Sequence, residues 1–353
     1  MTKIMKINPV NPNKKLLNLA AEVIKKGGLV VFPTETVYGL GADAFNPEAV
    51  LKIFKVKNRP ADNPLIIHIS NFKQFEELID LEKEKSNLAK LISEKLWPGP
   101  ITLVVKKSGK VPSEVTGGLD TVAIRFPAHP VANLLIELSK TPIAAPSANL
   151  SGKPSPTDAK HIIDDLKGFV DIIIDSGRSI FGIESTIIDI STAVPRLLRP
   201  GPISLERLKI LIPELEVPDL KSFRRPLAPG MKYRHYSPES YMVLFECKTE
   251  DKMVERVKNY LNKKNNKCII LLTTEETINL YPENSDKFKK ISLGSRRKLY
   301  EVAHNLFDTI IKADSLKPDE IVVEGFREIG LGFSIMNRLF KAAHRIIKED
   351  DEF

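Results

Sequence analysis

Between Leu29 and Ala44 the chain changes character within a few residues. Leu29-Val30-Val31-Phe32 is an apolar run of strand character, and at Pro33 it stops. Thr34, Glu35 and Thr36 follow, with Gly39 and Gly41 close behind. A buried strand that ends in hydroxyls, a carboxylate and flexible backbone is how open α/β sheets present a ligand site. A plainer reading also fits: a strand–turn–helix junction with Thr34 or Thr36 as the N-cap. Gly39–Ala44 matches G-x-G-x-x-A, but the acidic residue that a dinucleotide site places about 20 residues on is replaced by the Lys57–Arg59 region.

The rest of the chain repeats the same alternation. Residues 16–26 and 47–55 carry apolar positions at helical spacing, and Gly27-Gly28 closes the first of them. Leu65–Ile69 is apolar except for His68, as suits a strand covered on both faces. A helical region at 72–95, strands at 101–105 and 121–126, a helix at 130–138 and a strand at 142–145 follow. Further strands are expected at 171–175, 185–190 and 196–201. This order predicts an α/β domain over residues 1–210, built on a twisted mixed sheet with helices. Prolines at 213, 218, 226, 229 and 238 mark residues 211–238 as a linker, which also packs Lys232-Tyr233-Arg234-His235-Tyr236 into five positions. Residues 239–353 read as a smaller Rossmann-like α/β domain, with helices at 250–263, 295–313 and 334–347.

Composition narrows the function classes. At 353 residues, 42% apolar and 28% charged, the chain is expected to be globular and long enough for two domains. It has no 18-residue apolar run and no signal-peptide core, so the expectation is a cytoplasmic protein without membrane attachment. Two cysteines and scattered histidines argue against a disulfide framework or a protein-built metal centre. Acidic and basic residues balance over 239–353, so the whole net charge of +8 lies before them and favours an anionic partner.

The expected catalytic signatures are missing. Gly152-Lys153 would need a glycine at 147 to form a phosphate loop, and Ser147 stands there. No G-x-S-x-G elbow occurs. The strand ends instead offer hydroxyls (Thr34, Thr36, Thr121, Ser147, Ser185), fixed cations (Lys57, Arg59, Arg125, Arg199), Asn63 and His68. Such a set binds and aims anions without supplying a nucleophile, and phosphoryl or nucleotidyl transfer needs little more than that. A guanidinium within Val122-Ala123-Ile124-Arg125-Phe126 must be paired or reach a strand end, and it suits capture of a carboxylate.

Taken in order, PTETVYGLG, K-x-R-P-x-x-N-P-L-x-x-H, WPGP-x-T, T-V-x-x-R-x-P, APSAN-x-SG-x-PSPT, ESTI-x-D and LRPG span residues 30–201. Together they resemble the threonylcarbamoyl-AMP synthase (YrdC-type) family. The K-Y-R-H-Y-S-P linker and the further domain resemble its longer, two-domain form. The resemblance implies condensation of L-threonine, bicarbonate or carbon dioxide, and ATP, giving threonylcarbamoyl-adenylate and pyrophosphate for modification of adenosine 37 in tRNA. It implies Mg²⁺ arriving with ATP, and tRNA or downstream tRNA-modifying enzymes as further partners.

Carried onto this sequence, the resemblance places threonine among Thr36, His68, Arg125, Ala145 and Ser185. It places ATP among Lys57, Arg59, Asn63, Thr121, Ser147 and Arg199, with Tyr236 closing over the site from the linker. No residue is assigned as a covalent catalyst. The competing class is a non-catalytic module for double-stranded RNA or tRNA. It is compatible with the basic first part of the chain, but the dense Lys/Arg and aromatic runs usual in such modules are missing.

Overall fold

A computed structural model describes residues 1–80, 82–219, 227–228, 235–264 and 266–352, the side chains of 83–85 excepted. The chain divides into two compact units, Met1–Ser151 with Ser155–Tyr233, and Gly152–Pro154 with Arg234–Phe353. Residues 220–226 and 229–234 of the Pro-rich stretch, Lys232, Tyr233 and Arg234 among them, lie outside the described residues.

Among the described residues the first unit has ten strands: β1 (Lys3–Lys6), β2 (Val30–Phe32), β3 (Gly39–Asp43), β4 (Ile66–His68), β5 (Ile101–Lys106), β6 (Thr121–Arg125), β7 (Ile143–Ala145), β8 (Ile172–Asp175), β9 (Thr186–Asp189) and β10 (Arg196–Arg199). Their order across the sheet is β1-β8-β2-β3-β7-β4-β6-β5-β9-β10. Pairing is mixed: β4 runs parallel to β6 and antiparallel to β7, and β5 runs antiparallel to β6 and parallel to β9. The expected twisted mixed sheet is therefore the architecture found.

Helices Lys14–Lys25 and Pro130–Ser139 cover one end of one sheet face. Leu17, Ala20, Ile24, Val131, Leu135 and Ile136 form a core there with Val30, Phe32, Ile143 and Ala145. Asn13 caps the first helix through a bond from Leu16 N, and His129 caps the second through Val131 N at 3.2 Å. Helix Pro47–Lys57 starts with Asn46 as cap and Pro47 in its first turn, and ends on Asn58 at φ 50°. The helical region expected over 72–95 consists of two helices, Phe72–Leu78 and Lys83–Leu96.

The G-x-G-x-x-A segment is strand β3, paired antiparallel with β2, and not a phosphate-binding turn. A Cβ at Gly41 would lie 2.7 Å from Ile143 Cγ2 and 2.8 Å from Phe32 Cε1, so close packing between strands requires glycine there. The plainer reading, a helix capped by Thr34 or Thr36, does not hold, because the turn leads into a strand. Thr34 Oγ1 donates to Val37 O at 2.6 Å and accepts from the Thr36 and Val37 amides, which closes a side-chain turn leading straight into β3.

The second unit holds an all-parallel sheet of β11 (Tyr241–Glu246), β12 (Ile269–Thr273), β13 (Phe288–Ser292), β14 (Glu320–Glu324) and β15 (Arg345–Lys348), ordered β13-β12-β14-β11-β15. Helix Glu250–Asn262 connects β11 to β12, and helix Leu331–Ala342 connects β14 to β15. Central strands are buried along their length, as doubly covered parallel strands must be. The final helix stops at Ala342, so the stretch expected as helix over 334–347 ends in strand β15. No helix among the described residues is long and apolar enough to cross a membrane.

Candidate active site

Strand register assembles a polar row on one face of the first sheet. His68 pairs with Arg125 across β4 and β6, and Arg125 pairs with Thr102 across β6 and β5. Residues directly opposite on neighbouring strands point to the same face, so the three side chains stand side by side. Thr102 Oγ1 lies 2.7 Å from Ser185 Oγ, and Arg199 Nη2 donates to Ser185 Oγ at 3.0 Å. Arg199 Nε also donates to Ser185 O at 2.9 Å.

The turn after β2 delivers a second line of polar groups onto this row. Arg125 Nη1 donates to Thr36 Oγ1 at 2.8 Å, and Thr36 Oγ1 lies 2.8 Å from Thr34 Oγ1. Arg125 Nη2 is 2.8 Å from Glu35 Oε1, and both side chains are under 5% exposed. The ring of Phe32 meets His68 edge-on with centroids 5.7 Å apart. His129 is close enough to feel the charges of both Glu35 and Arg125, although burial dominates and lowers its pKa.

A second cluster gathers around the turn after β7. Lys57 Nζ donates to Ser147 O at 2.5 Å and to Asn149 O, and Ser147 Oγ donates to Asn149 Oδ1 at 2.5 Å. The Ala148 amide bonds Tyr38 O at 2.9 Å, which ties this turn to the end of the β2–β3 connection. Arg59 curls over its own loop, with Nε donating to Asn63 O at 3.1 Å and Nη2 to Pro64 O at 2.9 Å. Lys57 is buried, and that burial, with Arg59 nearby, pushes its pKa well below the usual lysine value. In this structure Lys57 therefore acts on the site by fixing the Ser147–Asn149 turn.

Apart from the paired Glu35 Oε1, buried polar atoms of these clusters with no hydrogen-bond partner among the described residues are Glu35 Oε2, His68 Nδ1 and Asn63 Oδ1. An unsatisfied buried polar atom costs about 1–3 kcal/mol, which a ligand supplying the missing partners would offset. Burial, with the Arg125 charge beside it, lowers the His68 pKa to about 3. The imidazole is thus neutral near pH 7 and suited to accepting or donating a hydrogen bond, not to storing a proton.

The structure brings Thr36, His68, Arg125 and Ser185 onto one sheet face: Arg125 bonds Thr36 and stands in register beside His68 and Thr102, while Thr102 and Arg199 bond Ser185. Ala145 pairs with Ile66, two residues from His68, and Thr121 opens β6. Tyr236 belongs to the second unit, where it is buried at φ 66° with its ring 5.2 Å from that of Phe307. The residue reading missed Glu35 as the partner of Arg125, and Thr102 as the link from Arg125 to Ser185. Glu35 stood between two threonines in the sequence; the signal for Thr102 was its place opposite Arg125, which only the pairing reveals. No group of three or more His, Cys, Asp or Glu side chains placed to hold a metal ion occurs among the described residues.

Fold and site together define an α/β protein of two units with a candidate ligand site, rich in cations and hydroxyls, on one face of a mixed sheet. Residues 22–201 match the family model described as telomere recombination, which groups Sua5, YciO and YrdC. Residues 203–344 match the model of the threonylcarbamoyl-AMP synthase C-terminal domain. The threonylcarbamoyl-AMP synthase of Pyrococcus abyssi is 45% identical over 94% of this chain and 95% of its own length. That of Bacillus subtilis is 42% identical over 95% and 94%. The crystal structure of P. abyssi Sua5 complexed with L-threonine superposes with a TM-score of 0.89 at 43% identity, covering 99% of both chains. The chain belongs to the threonylcarbamoyl-AMP synthase family.

Proposed function

We propose that this protein is an L-threonylcarbamoyladenylate synthase that condenses L-threonine, bicarbonate or carbon dioxide, and Mg-ATP. The reading is carried by one observation: a buried guanidinium, Arg125, held between Thr36 and Glu35 beside the unpaired Nδ1 of His68. Arg125 pairs with the threonine carboxylate, while His68, Thr36 and Ser185 surround the amino and hydroxyl groups and Ala145 lines the pocket. The relatives' names and the threonine-bound P. abyssi structure support this reading.

Chemically, the amino nitrogen forms a bond to the carbon of carbon dioxide and loses a proton, giving a carbamate. A carbamate oxygen then attacks the α-phosphorus, and the bond from that phosphorus to the β-bridging oxygen breaks, releasing pyrophosphate. Neither step needs a covalent enzyme intermediate, so the protein's contribution is positioning and charge neutralisation. Arg59, Asn63, Thr121, Ser147 and Arg199 hold the nucleotide, and Lys57 fixes the Ser147 turn. The Mg²⁺ enters as part of the ATP complex. The product serves tRNA modification, with tRNA or a downstream enzyme as the recipient.

Incubation with L-threonine, bicarbonate and Mg-ATP tests the reading. Pyrophosphate and an adenylate should both appear, dependent on threonine. ATP turnover indifferent to threonine would reject it.

A further inference from the structure

The C-terminal ends of β11 and β14 open onto a crevice of about 360 Å³ in the second unit, lined by none of the residues of the proposed reaction. The two strands are neighbours, yet their connections leave in opposite directions. The helix after β11 leads to β12, beyond β14, whereas the helix after β14 leads to β15, on the far side of β11. In open parallel sheets such a reversal leaves a gap between the two connections, and ligands bind there.

The walls of this gap are strongly cationic. Lys248 comes from the loop after β11, Arg327 from the loop after β14, and Arg296 and Arg297 from the loop after β13, against one acidic lining residue, Glu250. Residues 239–353 are neutral as a whole, so the four cations are a local concentration. Apolar Met253, Leu299, Phe326 and Ile329 complete the lining.

Two carboxylates fix Arg296. Glu324, fully buried at the end of β14, accepts from Thr277 Oγ1 at 2.8 Å, from Tyr281 OH and from Arg296 Nη2 at 3.0 Å. Arg296 Nη1 donates to Gly325 O at 2.7 Å, and the guanidinium sits 4.7 Å from the centre of the Phe326 ring. Its Nε is buried with no hydrogen-bond partner among the described residues. Glu276 holds the backbone, accepting from Ser295 Oγ at 2.6 Å and from the Arg296 amide at 2.8 Å. Although partial burial acts to raise it, these bonds bring the Glu276 carboxyl down to about 2. Arg296 is thus anchored by the fold, while the exposed Lys248, Arg297 and Arg327 stand around it. Cys247, also in the lining, has its thiol pushed up to about 11 by burial and the nearby Glu349, so it stays protonated and offers no nucleophile.

We propose that this crevice is a binding site for a nucleoside phosphate. Its volume falls in the range of small-molecule sites, Arg296, Arg297 and Arg327 suit a phosphate, and the apolar wall suits the nucleoside.

Photolabelling of the full-length protein with 8-azidoadenosine 5′-monophosphate, followed by peptide mapping, tests the proposal. The label should appear within residues 247–253 or 325–329 and be chased by AMP. Charge reversal at the two exposed arginines, R297E with R327E, should reduce it about tenfold or more, the scale of lost charge-assisted hydrogen bonds. Thermal melting controls for folding, and R327Q alone, should the double variant unfold, should still weaken the label. Labelling confined to residues 1–210, labelling of the crevice unchanged in these variants, or displacement by an RNA oligonucleotide but not by AMP would overturn it.

Discussion

The Arg125 guanidinium stands 2.8 Å from the Glu35 carboxylate, with both side chains almost wholly buried. Removing one member of a buried pair leaves the other uncompensated, at a cost of roughly 3–5 kcal/mol. In the Glu35→Gln variant Arg125 keeps its place but loses its neutralising partner. We expect a lower melting temperature without ligand, and a threonine-induced rise larger than in the wild type, because the substrate carboxylate then supplies the missing charge. A smaller rise would disconnect Arg125 from the threonine carboxylate.

Arg125→Ala should abolish threonine dependence. The lost charge-assisted bond is worth about 1.5–3 kcal/mol, or about tenfold to a hundredfold in threonine affinity. Calorimetric titration with L-threonine measures this directly, and wild-type affinity in the variant would count against the assignment.

His68 makes the fold sensitive to acid in a defined window. Its pKa is about 3 in the folded chain, against an ordinary value of 6.5. As pH falls below 6.5 the unfolded chain takes up a proton that the folded chain refuses. Stability from this group is therefore intact above 6.5 and is lost progressively towards pH 3. Denaturant midpoints measured across that range should fall less steeply for His68→Asn than for the wild type, by at most ~1.4 kcal/mol per pH unit. Parallel slopes would show that the imidazole is not the group responsible.

Gly41→Ala tests packing against ligand binding as the reason for the second glycine of the G-x-G stretch. A methyl group there would sit against Ile143 and Phe32. Overpacking of this kind costs about 1–3 kcal/mol, so chemical denaturation should show the loss while nucleotide affinity of the folded fraction stays unchanged.

The parts of the structure legible in the sequence are those whose residues face one environment. Central strands such as β5 and β12 are buried along nearly their whole length and read as unbroken apolar runs. Apart from the glycine-bearing central β3, the strands that went unread lie at sheet margins. β1, β13 and β15 are edge strands in which lysine or arginine alternates or mixes with apolar residues, the composition that discourages pairing with other chains. Residues 334–347 keep an apolar residue every three or four positions through β15, and no Gly or Pro marks the break after Ala342. The polar row was legible as a set of residue types, because Arg125 and His68 interrupt apolar strands. Their alignment across β4 and β6 was not, since register belongs to the pairing of distant segments.

Ala228, after the stretch where the first domain was expected to end, has no exposed surface and rests on Ile66, Val104, Ala123, Ile187 and Leu198, with Leu227 beside it. Ile66 and Ala123 lie two residues from His68 and Arg125, on the same sheet face. The first unit thus recruits its own covering from chain that composition reads as a connector. A protein shortened to residue 210 would carry an uncovered apolar strip beside the substrate groups, and we expect it to self-associate on gel filtration, whereas one ending after residue 228 should elute as a single well-behaved species.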